Sequence, residues 1–374
     1  MTTQQTHIVH GGDLVSASIR YNIPESDWVD LSTGLNPITY PCDDIPATVF
    51  SRLPYPSPEF RKTVEGYYGP HAYRSLAGTQ EIIQQLPLLL ADLPVILPSL
   101  GYQEHQSAWT NKGAEISFYD ACILSKADAM IERLIEANSQ QHLLIINPNN
   151  PSGLMIPLES LFSWAAMLGT DAMLIVDEAF IDLTPEASLL SRPPLPDNIL
   201  VLRSCGKFFG LGGIRAGFIF GSPKSLSRIQ FPSNPWPLNG PAMHILSKAL
   251  PDRYWQHASR KRIQTSAQEI QSLFAPLVHN KALKLLADRG LFISFQGSPS
   301  YLSELYEFFA KAGILLRLIS VNNDFAMLRV GLVDHLDKTS IERIRQCVAQ
   351  VASKNAFDSF IKTRPRRSIS ERNK

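Results

Sequence analysis

The stretch VLRSCGKFFGLGGIRAG, Val201 to Gly217, limits what this chain can become more than any other segment. The apolar run from Ile199 to Leu202 reads as a buried strand, and Ser204, Lys207 and Arg215 follow it among glycines that let backbone approach a ligand. A lysine partly withdrawn from water beside a second cation has a lowered pKa, so its amine can form an imine with an aldehyde. Ser204 and Arg215 suit a phosphate on the same molecule, because arginine gives a permanent, bidentate grip on a dianion. A surface loop with solvated charges is the competing reading of this stretch alone, so the other segments must decide.

Two further apolar runs end in polar residues: Leu143 to Asn147 leads into NPNNPSG, and Met173 to Asp177 leads into DEAF. In an open α/β sheet, ligands sit at the carboxyl ends of the strands. Asn150 is fixed before Pro151 at such an end. Asp177 at a strand end calls for a positive partner, since an uncompensated buried carboxylate is costly, and a protonated pyridine supplies one. Upstream, Gly78, Thr79 and Gln80 precede the apolar run Ile82 to Leu90, and such a helix start presents unpaired amides to a phosphate. A short strand at Pro94 to Leu97 ends in PSLGYQEHQSAW, where Tyr102 could stack on a pyridine ring and His105 could orient the acidic partner of that ring. The alternative is a core aromatic and a satisfied histidine. The prolines of LPYPSP hold Tyr55 exposed and rigid, which suits an interface or a packed turn.

Length and charge set the frame. With 374 residues and 44% hydrophobic content the chain can build one large domain and a smaller one. Lys plus Arg, 35, nearly balance Asp plus Glu, 34, so no global field points to nucleic acid or a membrane surface. Cys42, Cys122, Cys205 and Cys347 offer no metal or disulfide spacing, and no leader or apolar span is visible, so a reducing cytoplasm and no metal are expected. The expected organisation is an N-terminal arm with part of the small domain at 1–45, a large domain at 46–250, a small α+β domain at 251–362 and a disordered basic tail at 363–374. The arm carries HGG and STGLNP turns, whose amides, with His10, could hold an anion. A helix is expected over Tyr254 to Leu273, and strands at LFISF, ILLRLI and FAMLRVGL. Arg317 and Arg329 lie within these apolar runs, where charge is costly unless a partner arrives.

The pattern S-x-x-K with R-x-G eight residues after the lysine resembles the lysine region of fold-type I pyridoxal phosphate enzymes, the class I/II aminotransferase family. NPNNPSG, DEAF and SCGKFFGLGGIRAG, in this order after Gly78-Thr79, extend that resemblance over nearly the whole chain. It implies an α/β large domain with a mostly parallel central sheet plus a smaller α+β domain. It also implies pyridoxal 5'-phosphate on Lys207, with Asp177 at the ring nitrogen and Asn150 at the phenolic oxygen. Tyr102 and His105 would attend the ring, and Gly78, Thr79, Gln80, Ser204 and Arg215 the phosphate. Tyr55 would serve the neighbouring subunit of a homodimer with shared sites, and the arginine of L-R-x-G, Arg329, would hold a substrate carboxylate. One departure is Phe180, where many relatives carry tyrosine. The HGG and STGLNP arm, the GYQEH segment and the lysine stretch are similar to the threonine-phosphate decarboxylases. This adds His10, Gly34, Asn36 and Arg317 as substrate candidates and implies loss of CO2 from O-phospho-L-threonine on the way to cobalamin. The alternative is an aminotransferase acting on histidinol phosphate or a related amino acid.

Overall fold

The computed structural model describes residues 10–229, 234–280 and 282–353. The expected tail at 363–374 and the first nine residues of the arm lie outside them. The described chain divides into two compact units: Leu35–Ile263 with Ala287–Leu291, and His10–Gly34 with Gln264–Leu286 and 292–353.

The large unit is built on seven strands: β1 (Ala72–Leu76), β2 (Val95–Pro98), β3 (Ile116–Tyr119), β4 (His142–Ile146), β5 (Leu174–Asp177), β6 (Ile199–Ser204) and β7 (Gly217–Gly221). Their order is β1-β7-β6-β5-β4-β2-β3. Neighbours from β6 to β3 are parallel, and β7 runs against both β6 and β1. Every residue of β4, β5, β6 and β7 is buried, which is why these segments read as continuous apolar runs rather than alternating ones.

Helices α1 (Pro58–Tyr68), α2 (Thr79–Leu89) and α3 (Gln103–Lys112) belong to this unit. Ser57 caps α1 by accepting from the Phe60 amide, with Pro58 in the first turn. On α2, Ile82, Ile83 and Leu86 form one apolar stripe. They join Val95, Leu97, Ile175, Leu200, Leu202 and Ile219 in a shared core, each side chain contributing about 1.5–3 kcal/mol by leaving water. That stripe fixes the position of the start of α2, which carries the amides of interest.

The long helix α4 runs over Arg253–His279, longer at both ends than the expected Tyr254 to Leu273. The unit boundary falls inside it rather than at residue 250, because its first turns pack within the large unit. Trp255 stacks on Phe209 at 5.6 Å and meets Tyr40 edge-on at 5.1 Å. Hydrophobic periodicity does not change where a continuous helix passes from one core to another. The segment from Leu35 to Asp44, expected with the arm, likewise belongs to the large unit. The amides of Asn36 and Tyr40 donate to the carbonyls of Lys207 and Phe209.

In the small unit, β8 (Lys284–Asp288), β9 (Ile293–Gly297), β10 (Arg317–Ser320) and β11 (Ala326–Val330) form a sheet in the order β10-β11-β9-β8, with β11 antiparallel to both its neighbours. The arm joins through a short parallel pair, Val29–Asp30 with Ile314–Leu315. Helices Pro299–Lys311 and Lys338–Ala352 complete the unit. No described helix is long and apolar enough to cross a membrane.

Candidate active site

Register brings the phosphate-type groups together. Gly217 is opposite Leu76 on one side and Ser204 on the other, so the end of β6 and the start of α2 flank the same strand. A Cβ on Gly217 would lie 2.8 Å from the Thr79 amide nitrogen, and only glycine lets β7 come this close. Gly78 precedes α2 at φ 84° and ψ 155°, a conformation essentially reserved for glycine. A Cβ there would lie 2.5 Å from Nη2 of Arg215, so the guanidinium rests against the bare Cα. Arg215 itself sits at φ 53° and donates from Nη1 to the Gly212 carbonyl at 3.3 Å. The start of α2, Ser204 and Arg215 thus gather around Gly78 and Gly217, a cup with a helix dipole behind it.

At the end of β5, Asp177 is 4% exposed. Its Oδ1 accepts from the Ala179 amide at 3.0 Å, and its Oδ2 lies 2.9 Å from Nε2 of His105, itself buried on α3. His105 is thus the hydrogen-bonding neighbour of the acid. Tyr102 caps the start of α3, and its hydroxyl donates to Oε1 of Gln80 at 2.9 Å. Nε2 of Gln80 in turn donates to Glu104 at 2.9 Å. A carboxylate only accepts, so Glu104 fixes which end of the Gln80 amide faces the tyrosine. Sequence reasoning gave Gln80 only a backbone role and passed over Glu104, although GYQEH contains it.

Lys207 follows β6, and its Nζ lies 5.7 Å from the centre of the Phe180 ring. Where a tyrosine hydroxyl would be, this chain offers a ring face. Asn150 lies beyond the end of β4, within NPNNPSG. Asn149 secures that loop by donating to the Leu100 carbonyl and to Ser152.

Beside this site is a buried charge network that the sequence did not disclose. Arg203 bonds Asp182 and lies 3.5 Å from Glu178, and Glu178 accepts from Ser188 and from the Leu189 amide. Tyr67 donates to Asp182 at 2.9 Å. Burial pushes the Glu178 carboxyl up to about 7 against the opposing pull of Arg203. The network pins the turn that carries Asp177. Its signal lay in the acids of DEAFID and the arginine before SCGK, which only strand pairing brings side by side.

Asn36, a substrate candidate, is engaged within the large unit. Its Nδ2 donates to the Phe208 carbonyl and to Ser259 Oγ, and its Oδ1 accepts from Ile38, so the side chain braces the lysine loop. Tyr55 is 65% exposed and meets Trp236 edge-on at 6.0 Å, with Phe50 and Leu53 also exposed.

In the small unit, Arg317 and Arg329 are direct partners across β10 and β11, and Ser294 faces Arg329 from β9. Like charges directly opposite each other destabilise a sheet unless an anion meets them. Arg329 is 8% exposed, bonds the Ser32 carbonyl of the STGLNP turn and lies 5.8 Å over the Phe292 ring. Asp30 holds that turn by accepting from the amide and hydroxyl of Ser32, with Gly34 two residues further on. Among the described residues no cluster of His, Cys, Asp or Glu could hold a metal ion.

The donor set of the large unit fits a phosphorylated pyridine. A cup that no Cβ could share is matched to a phosphate, and a buried carboxylate held by an imidazole is matched to a protonated ring nitrogen. Residues 47–346 match the model of the family described as aminotransferase class I and II. The chain belongs to the class I and II aminotransferase family. The chain is 34% identical over 329 residues to a threonine-phosphate decarboxylase of Pseudomonas aeruginosa, covering 86% of this chain and 92% of that one. It is 32% identical over 356 residues to a protein of the same name from a Sinorhizobium species, covering 92% and 98%. Among solved structures, the histidinol-phosphate aminotransferase of Sinorhizobium meliloti in complex with pyridoxal-5'-phosphate superposes with a TM-score of 0.71. The identity is 17%, with 93% of this chain and 99% of that one covered. At that identity the likeness speaks for the fold, and the family's α/β architecture with its mostly parallel sheet is the one observed here.

Proposed function

We propose that this chain is a pyridoxal phosphate enzyme that removes CO2 from O-phospho-L-threonine, giving 1-amino-2-propanol O-phosphate, as a cytoplasmic homodimer. One observation carries the substrate class: Arg317 stands directly opposite Arg329 across β10 and β11, a pair of cations that suits an amino acid bearing both a carboxylate and a phosphate. Near full-length relatives named threonine-phosphate decarboxylase support the reaction. The exposed Phe50, Leu53, Tyr55 and Trp236 support a second copy as the partner.

In this reading Thr79, Gln80, Ser204 and Arg215 hold the cofactor phosphate. Tyr102, steadied by Gln80 and Glu104, attends the ring. Asp177, oriented by His105, keeps a proton on the ring nitrogen. When bound, pyridoxal phosphate supplies an electron sink for whichever substrate bond is held perpendicular to its plane. Arg329 and Arg317 are the candidates for the substrate's carboxylate and phosphate. As CO2 leaves, the proton that replaces it on Cα comes from Lys207, acting as a general acid.

The test is to incubate purified, cofactor-loaded protein with O-phospho-L-threonine and no oxo acid, and to follow CO2. Release at catalytic rate is expected. No release, with amino transfer from histidinol phosphate to 2-oxoglutarate instead, would sink this assignment in favour of an aminotransferase.

A further inference from the structure

A cavity of about 840 Å3 in the large unit is used by none of the groups assigned above to cofactor or substrate. It is bordered by α1, the Asp182 to Ser191 segment, Arg203 and the first turns of α4. Lys62, Arg253 and Arg260 line it, with His257 among them, and none of these three cations forms a salt bridge among the described residues. The one carboxylate in the lining, Asp182, is already bonded to Arg203 and Tyr67. Glu59, one turn before Lys62 on α1, is the acid that tempers the rim. A concave wall of one sign concentrates potential and draws counter-ions.

Arg203 also borders the cavity, but Asp182 and Glu178 already meet its charge. Thr63, Ser191 and Gln256 add neutral polar groups around it. The volume falls within the roughly 300–1,000 Å3 of small-molecule sites.

We propose that this cavity is a second anion site, separate from the catalytic one, that takes a small molecule carrying two or more phosphate groups. Arg260 ties it to the lysine loop: its guanidinium lies 5.0 Å over the ring of Phe208, the residue after Lys207, and its Nε donates to the Asp182 carbonyl.

The experiment is calorimetric titration of the cofactor-loaded full chain, without substrate, using tripolyphosphate and then inorganic phosphate. Saturable binding of one tripolyphosphate per chain is expected, with inorganic phosphate about tenfold weaker or more. Removing two charge-assisted contacts with a Lys62→Ser, Arg253→Ser double variant should weaken tripolyphosphate at least about tenfold. An Arg317→Ala variant should bind it as the parent does. The site does not exist if the parent fails to bind, if the double variant binds equally well, or if Arg317→Ala is the variant that loses binding. Equal affinity for inorganic phosphate would refute the polyphosphate class. Both exchanged positions are exposed on helices, so unchanged melting of the double variant separates lost binding from lost folding.

Discussion

Replacing Gly78 with alanine tests the phosphate cup at its tightest point. The added Cβ would sit 2.5 Å from Nη2 and 2.9 Å from Cζ of Arg215, closer than such atoms approach. Because the obstacle is the far end of a flexible side chain, the clash resolves by swinging the guanidinium away. The backbone strain does not resolve, since φ 84° with ψ 155° is closed to alanine; it costs about 1–3 kcal/mol of folding stability. Displacing Arg215 costs a charge-assisted bond to the cofactor phosphate, about 1.5–3 kcal/mol, or roughly 10- to 150-fold in affinity. Two measurements separate the effects. Denaturant unfolding of the cofactor-free protein reads the strain alone, while equilibrium dialysis of pyridoxal phosphate reads the lost grip. If Gly78→Ala lowers stability but leaves cofactor affinity within twofold of the parent, Arg215 is not a phosphate ligand and the cup has been misread.

Lys207→Ala is expected to abolish the visible absorbance of protein-bound cofactor and reduce turnover to background; persistent colour would show that another lysine holds it. Asp177→Asn should retain cofactor in dialysis while losing most activity, because the ring nitrogen then lacks its charged partner, and near-normal turnover would count against the role. Phe180→Tyr restores a hydroxyl donor near Lys207, so the pH midpoint of the absorbance band should fall, and an unmoved midpoint would show that the hydroxyl does not reach. For Glu178 the sign follows from its carboxyl lying at about 7 in the folded chain against an ordinary 4.5. Between those values the folded state keeps a proton that the unfolded state has released, so its contribution to stability is lost as pH rises through that window. Glu178→Gln should flatten the stability profile from pH 4.5 to 7 in urea titrations, and an unchanged slope would place the titration elsewhere.

The central strands β4, β5 and β6 were legible because parallel strands buried on both faces are written as largely apolar runs, and β5 and β6 end in Asp177 and Ser204. The places of Tyr102, His105, Asp177 and Arg215 in the fold were likewise readable, since each stands at or near a strand end or helix start that local spacing reveals. The bracing role of Asn36 was not readable from STGLNP. Its bonds to Phe208 and Ser259 join parts of the chain about 170 and 220 residues away, and no window of sequence contains them. Glu104 and the Glu178–Asp182–Arg203 network escaped for the same reason: their meaning is pairwise, and the pairs form only in the folded sheet. The boundary inside α4 was invisible because both halves of that helix obey the same period.

The reversed strand β7 has a consequence for how the protein matures. It wedges between β1 and β6 and so joins Leu76 to Ser204 through Gly217, late in the order of synthesis. A nascent chain still short of Gly221 therefore lacks the piece that closes the cup, whatever else it has folded. Ribosome-bound fragments ending before that residue should remain colourless in vitamin-replete extracts, and those that extend well past it should be the first to turn yellow.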